Sequence, residues 1–379
     1  MKLHAHIKNI EFIEEPINFD KYSDKKLLQY CLGATLYMPA TKDILDSIIE
    51  KKILGLTSIV MCFENAIEEK DLAEGEKNVL NLFKKLSQLL ELKKISYDDI
   101  PLIFLRVRNV EQFKNFSKKI ELDFLKFISG FVFPKFTSLN GKSYLKHLDF
   151  LNKDKKEIIY GMPILESQKI AFKEGRVKEL IKIKKILEPY KKYILNIRVG
   201  TTDFSSVFGV RRGVDYSIYD IFTVKDCLSD IINIFGRRGQ DYVISAPVWE
   251  YFLTPKETKS IEEIRGGIQR SLLKRDFLVN DIIDGLLREI VLDKANGFIG
   301  KTIIHPSHIK YVNGMQVVLE EEYRDALQIL KTSGGVIKSE SKNKMNEISP
   351  HSSWAYKIIC RAKVYGVVKD ESNLLKMFL

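Results

Sequence analysis

The sequence predicts an α/β protein, a (β/α)8 TIM barrel with a C-terminal helical extension. Eight strand-like apolar runs recur between Gly33 and Ile304, and helical patterns separate most of them. The runs are continuously apolar, as parallel strands covered by helices should be. Several also end on a charged residue, or on a Gly or Pro turn followed by one. Thr57–Phe63 ends at Glu64, Leu102–Leu105 at Arg106 and Ile128–Phe133 at Pro134-Lys135, while Ile158–Leu165 ends at Glu166 and Ile194–Val199 at Gly200-Thr201-Thr202-Asp203. In a parallel barrel the carboxyl ends of all strands open on one face, and active sites are assembled there.

Each element follows from its local pattern. Gly33–Met38 reads as the first buried strand, and Pro39-Ala40-Thr41 turns onto a helix near Asp43–Lys52. Thr57–Phe63 is the second strand, and apolar residues at three- and four-residue spacing predict its helix over Glu74–Leu92. The next four strands are the runs named above, with helices near Val110–Phe116, Tyr144–Asn152 and Gln168–Leu187. Tyr242–Ala246 before Pro247 makes a seventh strand, and Thr302–Ile304 before His305-Pro306 an eighth. Pro255 to Asn296 is long for one crossover, so two helices are expected there, Lys256–Arg265 being the first. The barrel should occupy residues 1–313, followed over 314–344 by the helix Leu319–Leu330 and a flexible Gly/Ser/Lys-rich linker, Thr332–Lys344. Residues 345–379 return to order with Trp354, Tyr356, Ile358, Ile359 and Val364, a tail expected to dock on its own barrel or on a neighbouring subunit.

A chain of 379 residues with 45% hydrophobic content can bury a full core, and a barrel takes roughly 250 residues as one domain. Met1 to Glu14 lacks the apolar core of a secretory signal, and no run approaches the ~20 residues of a membrane span, so a cytoplasmic protein with no membrane partner is expected. Cys31, Cys62, Cys227 and Cys360 are scattered, which argues for reduced thiols. The formal charge of +11 is diffuse: Lys and Glu alternate along Glu174–Lys192 as on a solvated face, and nucleic acid is not the expected partner. A small anionic substrate makes better use of that charge.

Glu166 and Asp203 stand beyond adjacent strands, and two rim carboxylates can hold Mg²⁺, with water and substrate oxygens completing its octahedron. The competing structural explanation has Glu166 capping the next helix and Asp203 pairing with Arg198, Arg211 or Arg212. Arg106 and Arg108 lie two apart, so in extended chain they point the same way and can clamp a carboxylate. A salt bridge from Arg106 to Glu64 is the alternative, and both hold if Glu64 orients Arg106, which places Glu64 in the catalytic set. Lys135 joins the substrate-binding candidates. So do Arg211 and Arg212, bracketed by Gly209 and Gly213, with Gly236-Arg237-Arg238-Gly239 a weaker addition. His305-Pro306-Ser307-His308 lacks a third ligand for zinc. Neither a Gly-x-Ser-x-Gly elbow nor a Walker-type phosphate loop is present.

Taken in order, these residues resemble a known family, the citrate lyase beta-subunit-like and malyl-CoA lyase-like C–C bond lyases. Leu36-Tyr37-Met38-Pro39 resembles its opening LFVPG, Cys62-Phe63-Glu64-Asn65-Ala66-Ile67 its DLEDAV, and Leu105-Arg106-Val107 its VRIN. Phe133-Pro134-Lys135 is similar to LPK, Ile164-Leu165-Glu166-Ser167 to LIET, and Gly200-Thr201-Thr202-Asp203-Phe204 to GxxDL. Gly297-Phe298-Ile299-Gly300-Lys301 with Ile304-His305-Pro306 resembles the closing GFxGKxxIHP. The resemblance implies Mg²⁺ on Glu166 and Asp203, an essential Arg106, and a homo-oligomer, trimer or hexamer. Met345-Asn346-Glu347, Pro350-His351 and Trp354-Ala355 further resemble a divergent branch encoded with tellurium-resistance and stress gene clusters. Cys62 and Asn65 replace both Asp of DLED, which argues against ordinary citryl- or malyl-thioester chemistry, and no CoA-binding signature stands out.

The function expected is therefore Mg²⁺-dependent lyase or aldolase chemistry on an oxo- or hydroxy-acid, free, phosphorylated or thioester-linked, through an enolate. Glu347 and His351 are candidates for a base carried on a C-terminal lid. The alternatives are enolate-type condensation or thioester hydrolysis, and a non-catalytic barrel acting as a binding or assembly subunit.

Overall fold

Eight parallel strands close into one barrel. They are β1 (Ala34–Pro39), β2 (Ser58–Cys62), β3 (Leu102–Arg106), β4 (Ile128–Phe133), β5 (Tyr160–Leu165), β6 (Ile197–Val199), β7 (Ile244–Ser245) and β8 (Lys301–Ile303). Neighbours pair in chain order, and β8 pairs back onto β1, Thr35 opposite Thr302. The ring closes between β7 and β8 through a parallel bridge, Ala246 to Lys301, with Ala246 N donating to Gly300 O and Thr302 N to Ala246 O. This is a computed structural model, which describes residues 1–153, 155, 157–239, 242–252, 280–341 and 343–378. The helix expected at Lys256–Arg265 lies outside the described residues.

Every strand is followed by a helix: α1 (Leu45–Ile49), α2 (Leu72–Glu91), α3 (Val110–Ser117), α4 (Gly141–Asn152), α5 (Lys173–Leu187), α6 (Phe222–Phe235), α7 (Asp281–Ala295) and α8 (Ile309–Gly314). The apolar stripe of α2 buries Val79, Leu82, Phe83 and Leu86, the spacing that puts residues on one helical face. Asn109 starts α3 by accepting from Gln112 N, and Asn280 starts α7 by accepting from Ile282 N and Ile283 N. Where β1 and β8 begin, the backbones nearly touch. A Cβ on Gly300, whose φ is +66°, would lie 2.5 Å from Gly33 O, so only glycine fits.

The C-terminal extension consists of α9 (Glu320–Lys331) and α10 (Ile348–Tyr365), packed on each other over Ala326, Ile329, Ala355, Ile358 and Ala362. The segment Thr332–Lys344 is not a structureless linker: its Val336–Lys338 pairs antiparallel with Met345–Glu347. Val367–Val368 lies between Phe12–Glu14 and Val318–Leu319, tying both ends of the chain into one small sheet. The extension seals the amino ends of the barrel strands. Tyr365 Oη donates to Tyr30 O at 2.7 Å, Arg361 to Gln316 O, and Arg238 Nη1 to Ser349 O.

Candidate active site

At the carboxyl ends of the strands the charged residues that terminate β2 to β5 meet. Arg106, the last residue of β3, is 8% exposed; its Nη2 lies 2.6 Å from Glu64 Oε2 and 3.1 Å from Glu166 Oε1. Lys135 binds both carboxylates, its Nζ donating to Glu64 Oε1 and its backbone N to Glu166 Oε1, each at 2.8 Å. To aim that N–H at Glu166 the chain takes φ of +46° at Lys135, a left-handed conformation that side-chain-bearing residues rarely adopt. Asn65 N adds a hydrogen bond to Glu64 Oε2, so both oxygens of Glu64 are engaged.

Glu166 also shares a hydrogen bond with the Asp203 side chain. Its Oε2 points at Gly200, where any Cβ would collide with the carboxylate, and Asp203 follows in the first turn of the helix Thr201–Val207. Burial raises the Glu166 carboxyl to about 7, Arg106 opposing the rise and the nearby Asp203 charge adding to it. Burial likewise raises Asp203, with Lys135 and Arg106 opposing. Burial works against the Arg106 charge too, but Glu166 first and then Cys62 and Glu64 outweigh it and hold the guanidinium charged. Among the described residues no group of three His, Cys, Asp or Glu side chains is arranged around a metal. Two adjacent carboxylates lining one cavity nevertheless fit Mg²⁺, which is commonly held by one or two carboxylates plus water.

These residues open onto a cavity of about 400 Å³ lined by Arg106, Glu166 and Asp203 together with Tyr37, Arg198 and Thr302. The last three were not among the residues singled out for chemistry. Arg198, on the sequence alone a partner for Asp203, sits between Ile197 and Val199, a charged side chain inside an apolar strand that the barrel turns inward.

Other expectations need correction. The strand stops at Arg106, so Arg108 does not follow it into the cavity; it binds Ile67 O and Glu69 on the neighbouring loop. Arg212 is buried away from the cavity in an ion network, paired to Glu289 and Glu250, donating to Val248 O and lying 4.5 Å over the Trp249 ring. Arg211 is exposed and does not line the cavity. Among the described residues no ion pair joins Asp203 to Arg198, Arg211 or Arg212. Glu347 and His351 begin α10 under the opposite end of the barrel, where Glu347 N donates to His351 Nδ1, so within one chain they cannot reach the cavity. His308 Nε2 donates to Tyr251 O, while His305 stacks on Phe252.

No protein of curated function matches the sequence. Solved structures resemble the chain. CitE from Mycobacterium tuberculosis, in complex with magnesium, acetoacetate and coenzyme A, matches 88% of this chain and 99% of its own at 13% identity, with a TM-score of 0.52. RipC from Yersinia pestis matches 76% of this chain and 95% of its own at 13% identity, with a TM-score of 0.48. A family of C–C bond lyases of the TIM-barrel fold matches residues 26–367, nearly the whole chain. With the barrel and its charged rim in agreement, the chain belongs to that family and is a carbon–carbon lyase.

Proposed function

We propose that this lyase is Mg²⁺-dependent and acts on an anionic oxo- or hydroxy-acid through an enolate. The observation that carries the reading is the pair Glu166 and Asp203 lining one cavity beside an arginine already fixed in place by Glu166. Glu166 and Asp203 would hold the ion, which when bound supplies Lewis-acid polarisation of a substrate oxygen. Arg106 cannot swing away, because Glu64 and Glu166 grip the same Nη2. Its charge is thus preorganised where negative charge grows on the enolate oxygen, a contact whose loss costs ~10²–10³ in rate. Glu64 orients Arg106 and Lys135 together, and the Lys135 ammonium, still half exposed, adds positive charge at the rim. The magnesium and acetoacetate held by the mycobacterial relative support the reading. We further place the chain, on its residues 345–355, in the branch encoded with tellurium-resistance and stress genes, as a homo-oligomer of the cytoplasm.

Calorimetric titration of Mg²⁺ into wild type, Glu166→Gln and Asp203→Asn, with and without pyruvate, tests the proposal. Binding that needs both carboxylates and tightens with pyruvate is expected. Absence of Mg²⁺ binding to the wild type in both conditions would overturn it.

A further inference from the structure

Five arginines are buried among the described residues: Arg106, Arg176, Arg198, Arg212 and Arg361. Four have a carboxylate partner: Arg106 has Glu64 and Glu166, Arg176 has Asp230, Arg212 has Glu289 and Glu250, and Arg361 has Glu322 at 3.9 Å. Arg198 has none. It is 1% exposed, and it touches hydroxyls and a ring: Nη2 donates to Thr302 Oγ1 at 2.7 Å, Nη1 donates to Thr35 Oγ1 at 3.5 Å, and the Tyr37 ring lies 5.3 Å away. Nε has no partner. An unpaired charge in a dry interior carries a large desolvation penalty, which an anionic partner offsets. The side chain lines the cavity that holds Arg106, Glu166 and Asp203.

We propose that Arg198, with Thr302, binds a second carboxylate of the substrate, so that the enzyme takes an oxo- or hydroxy-dicarboxylic acid. This rests on the reading of the rim as the reacting end. Charge supports it: Arg106 and Lys135 are paired with Glu64 and Glu166, the remaining cavity carboxylate, Asp203, is the one read as holding the cation, and among the described residues no carboxylate forms an ion pair with Arg198. One unmatched charge suits a carboxylate, whose two oxygens also meet the guanidinium fork, better than a doubly charged phosphate. A cavity of about 400 Å³ admits a short diacid with one end at the rim and the other at Arg198. Arg198 is thereby a specificity residue.

The test is calorimetric titration, in the presence of Mg²⁺, of pyruvate and oxaloacetate, which differ by one carboxylate, into wild type, Arg198→Met, Arg198→Lys and Glu166→Gln. Wild type should bind oxaloacetate about 10- to 100-fold more tightly than pyruvate, the range of a charge-assisted hydrogen bond. Arg198→Met should erase that preference while leaving pyruvate affinity unchanged. Arg198→Lys, which keeps the charge without the fork, should retain part of it and decides the matter if the methionine variant does not fold. Equal binding of the two probes by wild type, no binding of either, or equal weakening of both by the Arg198 variants overturns the proposal. Glu166→Gln separates the two readings. If it leaves both probes bound as in wild type while Arg198→Met still erases the preference, the metal site fails and the carboxylate subsite stands.

Discussion

Lys135 shows how one residue can serve two geometric demands. Its backbone N–H and its ammonium bind different carboxylates, and the chain makes both contacts with a left-handed backbone at φ +46°. That conformation costs about 1–2 kcal/mol in a residue with a Cβ. Lys135→Gly and Lys135→Ala both lose the ammonium, so their difference isolates the strain. The glycine variant should be the more stable by about 1 kcal/mol in urea titration, and equal stabilities would show that no strain is stored. His308 offers a pH-dependent counterpart. Its Nε2–H donates to Tyr251 O, and its buried Nδ1 has no acceptor for a second proton. Burial therefore lowers it to about 4, the Tyr251 carbonyl opposing slightly. Below pH 6.5 the unfolded chain takes up a proton that the folded chain refuses. Stability should thus fall by about 3 kcal/mol between pH 6.5 and 4 on this account. His308→Gln keeps a donor for Tyr251 and does not titrate, so it should remove that share of the slope in pH-dependent unfolding; an unchanged slope would contradict the assignment. At this scale the sequence was legible where a strand end announced a residue, as for Glu64, Arg106, Lys135, Glu166 and Asp203. It misled at Arg108, because period-two reasoning continued a strand that Asn109 ends by capping the next helix.

Between elements, the chain hides a charge network that no local pattern reveals. Glu289 on α7 binds Arg212 from the loop after β6 and Lys301 from β8, Lys301 also binds Asp293, and Tyr219 Oη donates to Asp293. All of Arg212, Glu289, Asp293 and Lys301 are buried. Removing Glu289 leaves Arg212 with only Glu250 and Lys301 with only Asp293 in a buried site, so Glu289→Ala should cost about 3 kcal/mol in equilibrium unfolding. Arg211→Ala, one residue from the network but exposed, should change stability by less than about 0.5 kcal/mol. Similar losses from the two variants would refute the distinction. Arg211 and Arg212 look alike in the sequence because burial of Arg212 is decided by Glu289, 77 residues away. The Gly-bracketed pair therefore suggested a substrate loop where there is a structural tie between β6, α7 and β8.

Across the whole molecule, the barrel was readable because its strands are short, apolar and punctuated, and all eight runs became strands. The C-terminal region was harder, since its Gly, Ser and Lys residues suggest a linker while its pairing partner, Met345–Glu347, lies beyond them. The consequence concerns the tail's role. As a lid, residues 345–379 could be removed with loss of turnover and little loss of structure. In this fold they instead supply α10 and the central strand Val367–Val368, and Met377 and Phe378 are buried, Phe378 against Tyr311. Deleting them would uncover Ala326 and Ile329 on α9, leave Phe12–Glu14 without its partner strand and expose the amino ends of the barrel. Burial of this kind stabilises by roughly 25 cal/mol per Å² of apolar surface, so the loss is large against a net stability of ~5–15 kcal/mol. Truncation at residue 344 should lower the melting temperature by more than about 10 °C or prevent soluble expression, as read by circular dichroism. A truncated chain that melts like the full one but has lost turnover would restore the lid, and would require the tail of one subunit to reach the cavity of another.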